Sequence, residues 1–281
     1  MIEYDCHIHT DFSDDSDTPA VEQIEEAIRI GYKGICITDH LDFEYPCEKE
    51  AGVKFMFDTD EYWKSLCKLK EEYSSKLELL IGVELGLRNE EGIISRMSSF
   101  YEDITAKYPL DFVIGSTHCL DNTDPYYPAY WNGKDYKTGL GAYFRACTEN
   151  AANYDCFDSS GHFDYLVRYI PKGDTWHGAE DYKPDEFSDI IDEFLKTLIK
   201  RNKALECNTA GIKYGLGFAH PHEFILRRYL ELGGELLTIG SDGHKPEHIV
   251  YDFDKTSEYL KALGFKYYTV YKQRKPVNYL L

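Results

Sequence analysis

Histidines and carboxylates in this chain fall in a pattern that suits divalent metal ions. His7 and His9 lie two apart in DCHIH. In a strand, side chains at i and i+2 point to the same side, so both imidazoles can reach one ion. Asp39 and His40 close the apolar run GICITDH, and Glu84 lies in IGVELGL. His118 lies in VIGSTHCLD, His162 in SSGHFDYL, and Asp242 and His244 in LTIGSDGH. An isolated histidine is usually a hydrogen-bonded core or surface residue. Here six of the ten histidines, with Glu84, Asp242 and Asp15, recur at equivalent places along the chain. That recurrence argues against chance placement. The donors are nitrogen and oxygen only, which suits Zn, Mn or Fe(II) in a working site rather than a closed thiolate site.

The elements that must position these residues alternate regularly. Short apolar runs predict strands over 2–7, 34–38, 78–83, 112–116, 161–165, 203–207, 236–240 and 266–270. Amphipathic stretches lie between them. Val21, Ile24 and Ile28 share one helical face after Pro19, and 60–75 reads as a charged helix. Met97, Tyr101, Ile104 and Tyr108 give another face. Phe187, Ile190, Ile191, Phe194, Leu195 and Leu198 give the clearest one, and 224–232 and 257–263 finish the series. Strands alternating with helices imply an α/β fold with a mainly parallel sheet. So many repeats in one chain suit a closed βα barrel, with an open doubly wound sheet as the alternative. Each candidate ligand then stands at the C-terminal end of a strand, where catalytic groups gather in such barrels. The longest irregular stretch, about 121–141, is expected to form a loop over a pocket mouth. Its Tyr126, Tyr127, Tyr130 and Trp131 are candidates for stacking on a ring of a ligand.

Composition narrows the function classes. The chain has 281 residues, 43% of them hydrophobic, enough for a substantial core. It contains no apolar run long enough to span a membrane, and MIEYDCHIHTDFS does not read as a signal peptide. A net charge of −19 argues against long nucleic acid as a partner. It does not forbid a small anionic substrate, because bound divalent ions reverse the local field. The eight cysteines include no C-x-x-C pair and are read as reduced thiols of a cytoplasmic protein.

The motifs HIHTDFSDDSD, ITDHLDFEYP, GVELGL, GSTHCLD, GHFDYLVRY, ECNTAGIKYGLG and IGSDGH occur in this order. Together they resemble the polymerase and histidinol phosphatase (PHP) family, and in particular its stand-alone histidinol-phosphatase branch. The resemblance runs from residue 5 to about residue 253. It implies a distorted (β/α)7 barrel of mainly parallel strands with three divalent ions (Zn, Mn or Fe) at the C-terminal strand ends. The implied unit is a single domain over 1–281 with a loop insertion at about 121–141. Carried over, His7, His9, Glu84 and Asp242 hold one ion. Glu84, His118 and His162 hold a second, with Glu84 bridging, and Asp15, His40 and His244 hold the third. Many members carry histidine where Asp15 stands. Neighbouring Asp11, Asp14 and Asp17 leave the choice among these carboxylates open.

The implied chemistry is hydrolysis of a phosphate monoester. An ion cluster can activate water for in-line attack on phosphorus, with Glu84, Asp242 and His244 at its centre. Arg168, six residues after His162, is the cation expected to bind phosphate, since a guanidinium can hold two of its oxygens. Lys213 stands where many members have a second arginine and offers a point charge. Asn208 is a further candidate for binding substrate. Asp39 is expected either to support a ligand or to act as an acid. His177, His220, His222 and His248 lie outside the motifs and are read as surface residues.

The expected substrate is L-histidinol phosphate, a step in histidine biosynthesis. Two alternatives stand beside it. One is a PHP phosphoesterase for another small ester or a nucleotide, and the other is a metal-binding PHP module without turnover. The oligomeric state is not legible in the sequence.

Overall fold

A computed structural model describes residues 1–172 and 177–281. The first half runs β1 (Tyr4–Ile8), α1 (Ala20–Arg29), β2 (Gly34–Ile37), the two-residue β3 (His40–Leu41), α2 (Glu48–Ala51) and α3 (Thr59–Tyr73), then β4 (Glu78–Gly86), α4 (Ile94–Lys107), β5 (Phe112–Ser116) and α5 (Tyr136–Asn153). The second half runs β6 (Ser159–Ser160), α6 (Ser188–Lys200), β7 (Ala204–Asn208), α7 (Ala210–Lys213) and α8 (Glu223–Glu231), then β8 (Leu237–Gly240), α9 (Phe253–Leu263), β9 (Tyr267–Lys272) and β10 (Lys275–Leu280).

Seven of the described strands pair in the order β1-β2-β4-β5-β6-β7-β8, each parallel to its neighbour, and β3 adds onto β4. A parallel bridge between Ile8 and Gly243, with the His9 N–H donating to the Gly243 carbonyl at 3.0 Å, brings the last strand's end to the first. The result is a nearly closed, distorted (β/α)7 barrel. Every residue of β1 and β7 is buried, including the polar Asp5, His7, Glu206 and Asn208. Helix α6 buries Ile191, Phe194, Leu195 and Leu198, spaced i, i+3, i+4, i+7. Phe194 stacks on Phe163 with ring centroids 4.0 Å apart, so this helix clamps the segment that carries His162. Each such buried side chain contributes roughly 1.5–3 kcal/mol.

Three expectations need correction. The fifth strand is Ser159–Ser160 rather than 161–165, and Tyr165–Tyr169 is a 3-10 turn that carries Arg168. The strand at 266–270 is real, but it leaves the barrel and forms an antiparallel hairpin with β10. Gln273 and Arg274, both at positive φ, make its turn, without the Asn-Gly or Asp-Gly that usually announces one. The stretch 121–141 is irregular only in part. Pro128–Trp131 is a 3-10 turn, and α5 starts at Tyr136, capped by Asp135. Helix α5 is buried on most sides, including Leu140, Tyr143, Phe144, Cys147 and Ala151, so it lacks an amphipathic stripe in the sequence. Tyr130 and Trp131 are buried in the core rather than free to meet a ligand. No helix among the described residues is long and apolar enough to cross a membrane.

Candidate metal centre and active site

The ligand candidates meet at one end of the barrel. Glu84, at the C-terminal part of β4, is fully buried, and its two oxygens face different neighbours. Its Oε2 lies 3.2 Å from His7 Nε2, 3.5 Å from His9 Nε2 and 2.9 Å from His40 Nδ1. Its Oε1 lies 3.3 Å from His118 Nε2 and 2.9 Å from His162 Nε2, and accepts a hydrogen bond from Ser116 Oγ at 2.5 Å. Asp242 Oδ1 lies 3.4 Å from His9 Nε2 and 3.6 Å from His244 Nδ1. Asp15 Oδ2 lies 3.3 Å from His244 Nε2 and 3.6 Å from His40 Nε2. Three groups have their donor atoms within 4.8 Å of one another: His9, His40 and His244; His7, His9 and Asp242; and His40, Glu84 and His118.

The run of aspartates is now separated. Asp14 accepts the backbone N–H groups of Lys54 and Phe55 at 2.6 and 2.8 Å, which ties it to a neighbouring loop. Asp15 is the one that faces His40 and His244.

Neighbouring groups set the tautomers of these rings. His7 Nδ1 donates to Glu206 Oε1 at 2.7 Å, and His118 Nδ1 donates to Asp42 Oδ2 at 2.7 Å. Ser13 Oγ donates to Asp39 Oδ1 at 2.7 Å and therefore accepts from His9 Nδ1 at 3.1 Å. The Asp242 carbonyl accepts from His244 Nδ1 at 3.1 Å. With each Nδ1 carrying its proton outward, the Nε2 lone pairs of His7, His9, His118 and His244 turn toward the carboxylates. His7 Nε2 and His9 Nε2 lie only 3.0 Å apart. His40 Nδ1 and Glu84 Oε2 are close, yet both lack hydrogen-bond partners. A set of lone pairs facing lone pairs needs a shared cation, so the residues fit divalent metals.

Electrostatics without metal point the same way. Burial favours the uncharged form of Glu84, but His7, His40 and His118 hold its carboxyl well below the usual range. Burial opposes charge on His7, yet Glu206, Glu84 and Asp242 raise its pKa well above the ordinary value. His9 is lowered by burial and by repulsion from His244 and His40. Protons therefore share a space that cations can take over.

The backbone is shaped for this site. Asp5 is buried in β1 and accepts from Ser241 N at 3.0 Å, Ser241 Oγ at 2.5 Å and Val250 N at 2.7 Å. It thereby fixes the loop after β8. Asp242 itself has φ of 53°, a left-handed conformation that aspartate tolerates better than most residues. A side chain at Gly240 would collide with His7 and Glu206, so glycine is required where that pair packs.

A cleft of about 500 Å³ opens over the cluster and is lined by His118, His162, Asp242, His244 and Arg168, among others. The Arg168 guanidinium sits 4.4 Å from the Tyr214 ring centroid and 5.3–5.4 Å from those of Tyr169 and Tyr165. It makes no ion pair among the described residues. Lys213 does not line the cleft; its ammonium donates to the Asp242 carbonyl at 2.8 Å. Asn208 is buried, accepts from Ala210 N at 2.9 Å and donates to Glu206 Oε2 at 3.2 Å. Asp39 supports Ser13 and Thr10 rather than facing the cleft. Of the other histidines, His177 is exposed, His222 caps α8 through Phe224 N, and His248 lines the cleft. His220 is not a surface residue but is fully buried against Asp164 at 2.8 Å. Sequence reasoning missed Glu206 and Asp42. A charged residue inside a fully buried strand, such as Glu206 in ALECN, is the signal that was available.

The model of the PHP domain family matches residues 5–210. A "Probable histidinol-phosphatase" of Clostridium acetobutylicum is 35% identical over 268 residues, spanning 94% of both chains. A histidinol-phosphatase of Lactococcus lactis is 30% identical over 271 residues, spanning 94% of this chain and 93% of its own. The crystal structure of the L. lactis histidinol phosphate phosphatase, complexed with Zn, L-histidinol and phosphate, superposes with a TM-score of 0.84. It is 29% identical and covers 98% of both chains.

Proposed function

The chain belongs to the PHP domain family, and we infer that it is a metal-dependent phosphomonoesterase hydrolysing L-histidinol phosphate to L-histidinol and phosphate in histidine biosynthesis. The observation that carries this reading is the convergence of tautomer-locked imidazoles and carboxylates beneath a cleft that also holds an unpaired arginine. The similarity to relatives described as histidinol-phosphatases supports the substrate.

Three divalent ions fit the donor set, with Zn, Mn and Fe(II) suited to its nitrogen and oxygen atoms. His7, His9, Asp242 and Glu84 are assigned to the first, and Glu84, His118 and His162 to the second. His40, His244 and Asp15 are assigned to the third. Such ions supply a hydrolytic nucleophile at neutral pH and offset phosphoryl charge.

The chain's own residues do the rest. Glu84 presents one oxygen to each of two histidine groups and so ties them to a common centre. Glu206, Asp42 and the Ser13–Asp39 pair hold the imidazoles in orientation. Arg168 offers a two-point contact for phosphate and is pre-positioned by its tyrosines, which lowers the cost of ordering it. Lys213 and Asn208 are assigned to positioning, the first through the Asp242 backbone and the second through Glu206. The whole of 1–281 acts in this reading as one metallophosphoesterase unit.

A phosphate-release screen over L-histidinol phosphate, other small monoesters and dinucleotides tests the substrate. L-histidinol phosphate should give the highest kcat/KM. Preference for a nucleotide, or no release by metal-loaded protein, overturns the reading.

A further inference from the structure

The carboxylates lining the cleft are not alike. Asp42 faces His118 at 2.7 Å, Asp15 faces His244 at 3.3 Å and Asp242 faces His9 at 3.4 Å. Asp124 also lines the cleft, yet it makes no ion pair among the described residues. It is nonetheless firmly held. Tyr45 OH donates to its Oδ2 at 2.7 Å, and the Tyr126 N–H donates to its Oδ1 at 2.8 Å. Its own N–H donates to Cys47 Sγ at 3.3 Å. A carboxylate has about four lone-pair sites, so two contacts leave part of its capacity unused. Burial raises the Asp124 pKa despite both hydrogen bonds and the nearby His118.

The surroundings fit an organic cation. Tyr45, Phe55, Tyr126 and Tyr127 flank this part of the cleft, and the Tyr45 and Phe55 rings meet edge to face at 5.0 Å. Arg168 supplies the anion-binding group of the same cleft. An unpaired guanidinium and an unpaired carboxylate in a single pocket match a ligand that carries a phosphate and an ammonium. The primary ammonium of L-histidinol phosphate is charged throughout the neutral range, whereas an imidazole with an ordinary pKa near 6.5 is mostly neutral there. A half-buried carboxylate gains more from a partner that is charged throughout this range.

We propose that Asp124 binds the primary ammonium of the substrate and sets selectivity for amino-alcohol phosphates over plain phosphate esters. This rests on the histidinol phosphate reading above. The test compares L-histidinol phosphate with 3-(imidazol-4-yl)propyl phosphate, which lacks only the amino group. The wild type should favour the amino ester. Asp124→Asn should lower kcat/KM for L-histidinol phosphate by about 10- to 100-fold, the range for losing one hydrogen bond to a charged group. Hydrolysis of the amine-free ester and metal content should stay near wild type, which also reports an intact fold. Tyr45→Phe, which removes one restraint on the carboxylate, should cost about two- to tenfold on the amino ester alone. Equal losses on both esters, no loss in either variant, or a wild type indifferent to the amine would overturn the proposal. A wild type that hydrolyses the amine-free ester but not L-histidinol phosphate would instead overturn the substrate reading itself.

Discussion

His7 Nδ1 lies 2.7 Å from Oε1 of Glu206, with both side chains out of contact with solvent. The pair crosses from β1 to β7 and aims His7 Nε2 at Glu84. A carboxylate behind a ligating imidazole fixes the ring and raises its basicity, and its loss typically costs about 10- to 100-fold in metal affinity or activity. Glu206→Gln should therefore weaken zinc binding and turnover by roughly that factor. Excess metal should restore part of the rate. A zinc titration of the variant that overlays the wild type refutes the role given to Glu206.

Glu84 faces five histidines through its two oxygens. Glu84→Gln should abolish turnover and lower metal content at more than one site, while circular dichroism stays native. Asp15→Asn should act on fewer ions, because Asp15 faces only His40 and His244 and its side chain is 40% exposed. Retention of substantial activity by Glu84→Gln would contradict the bridging role.

Arg168→Ala should lower kcat/KM for L-histidinol phosphate by roughly 10²- to 10³-fold, or about 3–4 kcal/mol. Arg168→Lys should recover only part, since an ammonium does not reproduce a planar fork. Metal content should remain unchanged in both. Lys213→Ala should behave differently, because its ammonium supports the backbone of Asp242. Its loss should appear partly as weaker metal retention, measured by elemental analysis after dialysis.

The metal-free protein should show a pH signature from His118. Burial opposes its charge, but Asp42 and Glu84 prevail and push its pKa up to about 10. An unfolded histidine titrates near pH 6.5. A folded pKa above the unfolded one gives stability that is full below about pH 6.5 and is lost as pH rises through about 10. The Tm of chelated protein should fall across that window. Asp42→Asn should flatten the fall, because it removes the partner that raises the pKa most. Identical Tm slopes for the two chelated proteins count against this account.

The histidine positions were legible because parallel βα barrels place working residues at strand ends, and most of the apolar runs announced their strands, with 161–165 the exception. Glu206 and Asp42 were not, since their roles depend on contacts made across the barrel, between β7 and β1 and between the loop after β3 and His118. Helix α5 was hidden by its burial on most sides, and β10 by the Gln273-Arg274 turn. Arg168 lines the cleft, whereas Lys213, a candidate phosphate cation, donates to the Asp242 backbone and Asn208, a candidate for binding substrate, donates to Glu206. Asp124 had no motif of its own. Its standing came from the cleft geometry and the absence of an ion pair.

The most direct test of the metal-dependent reading is the divalent ion content of freshly purified protein, followed with phosphate release from L-histidinol phosphate during graded chelation. Two to three ions per chain are expected, with activity lost in step with their removal and regained on adding Zn or Mn. Full activity with one ion or none per chain would contradict the account.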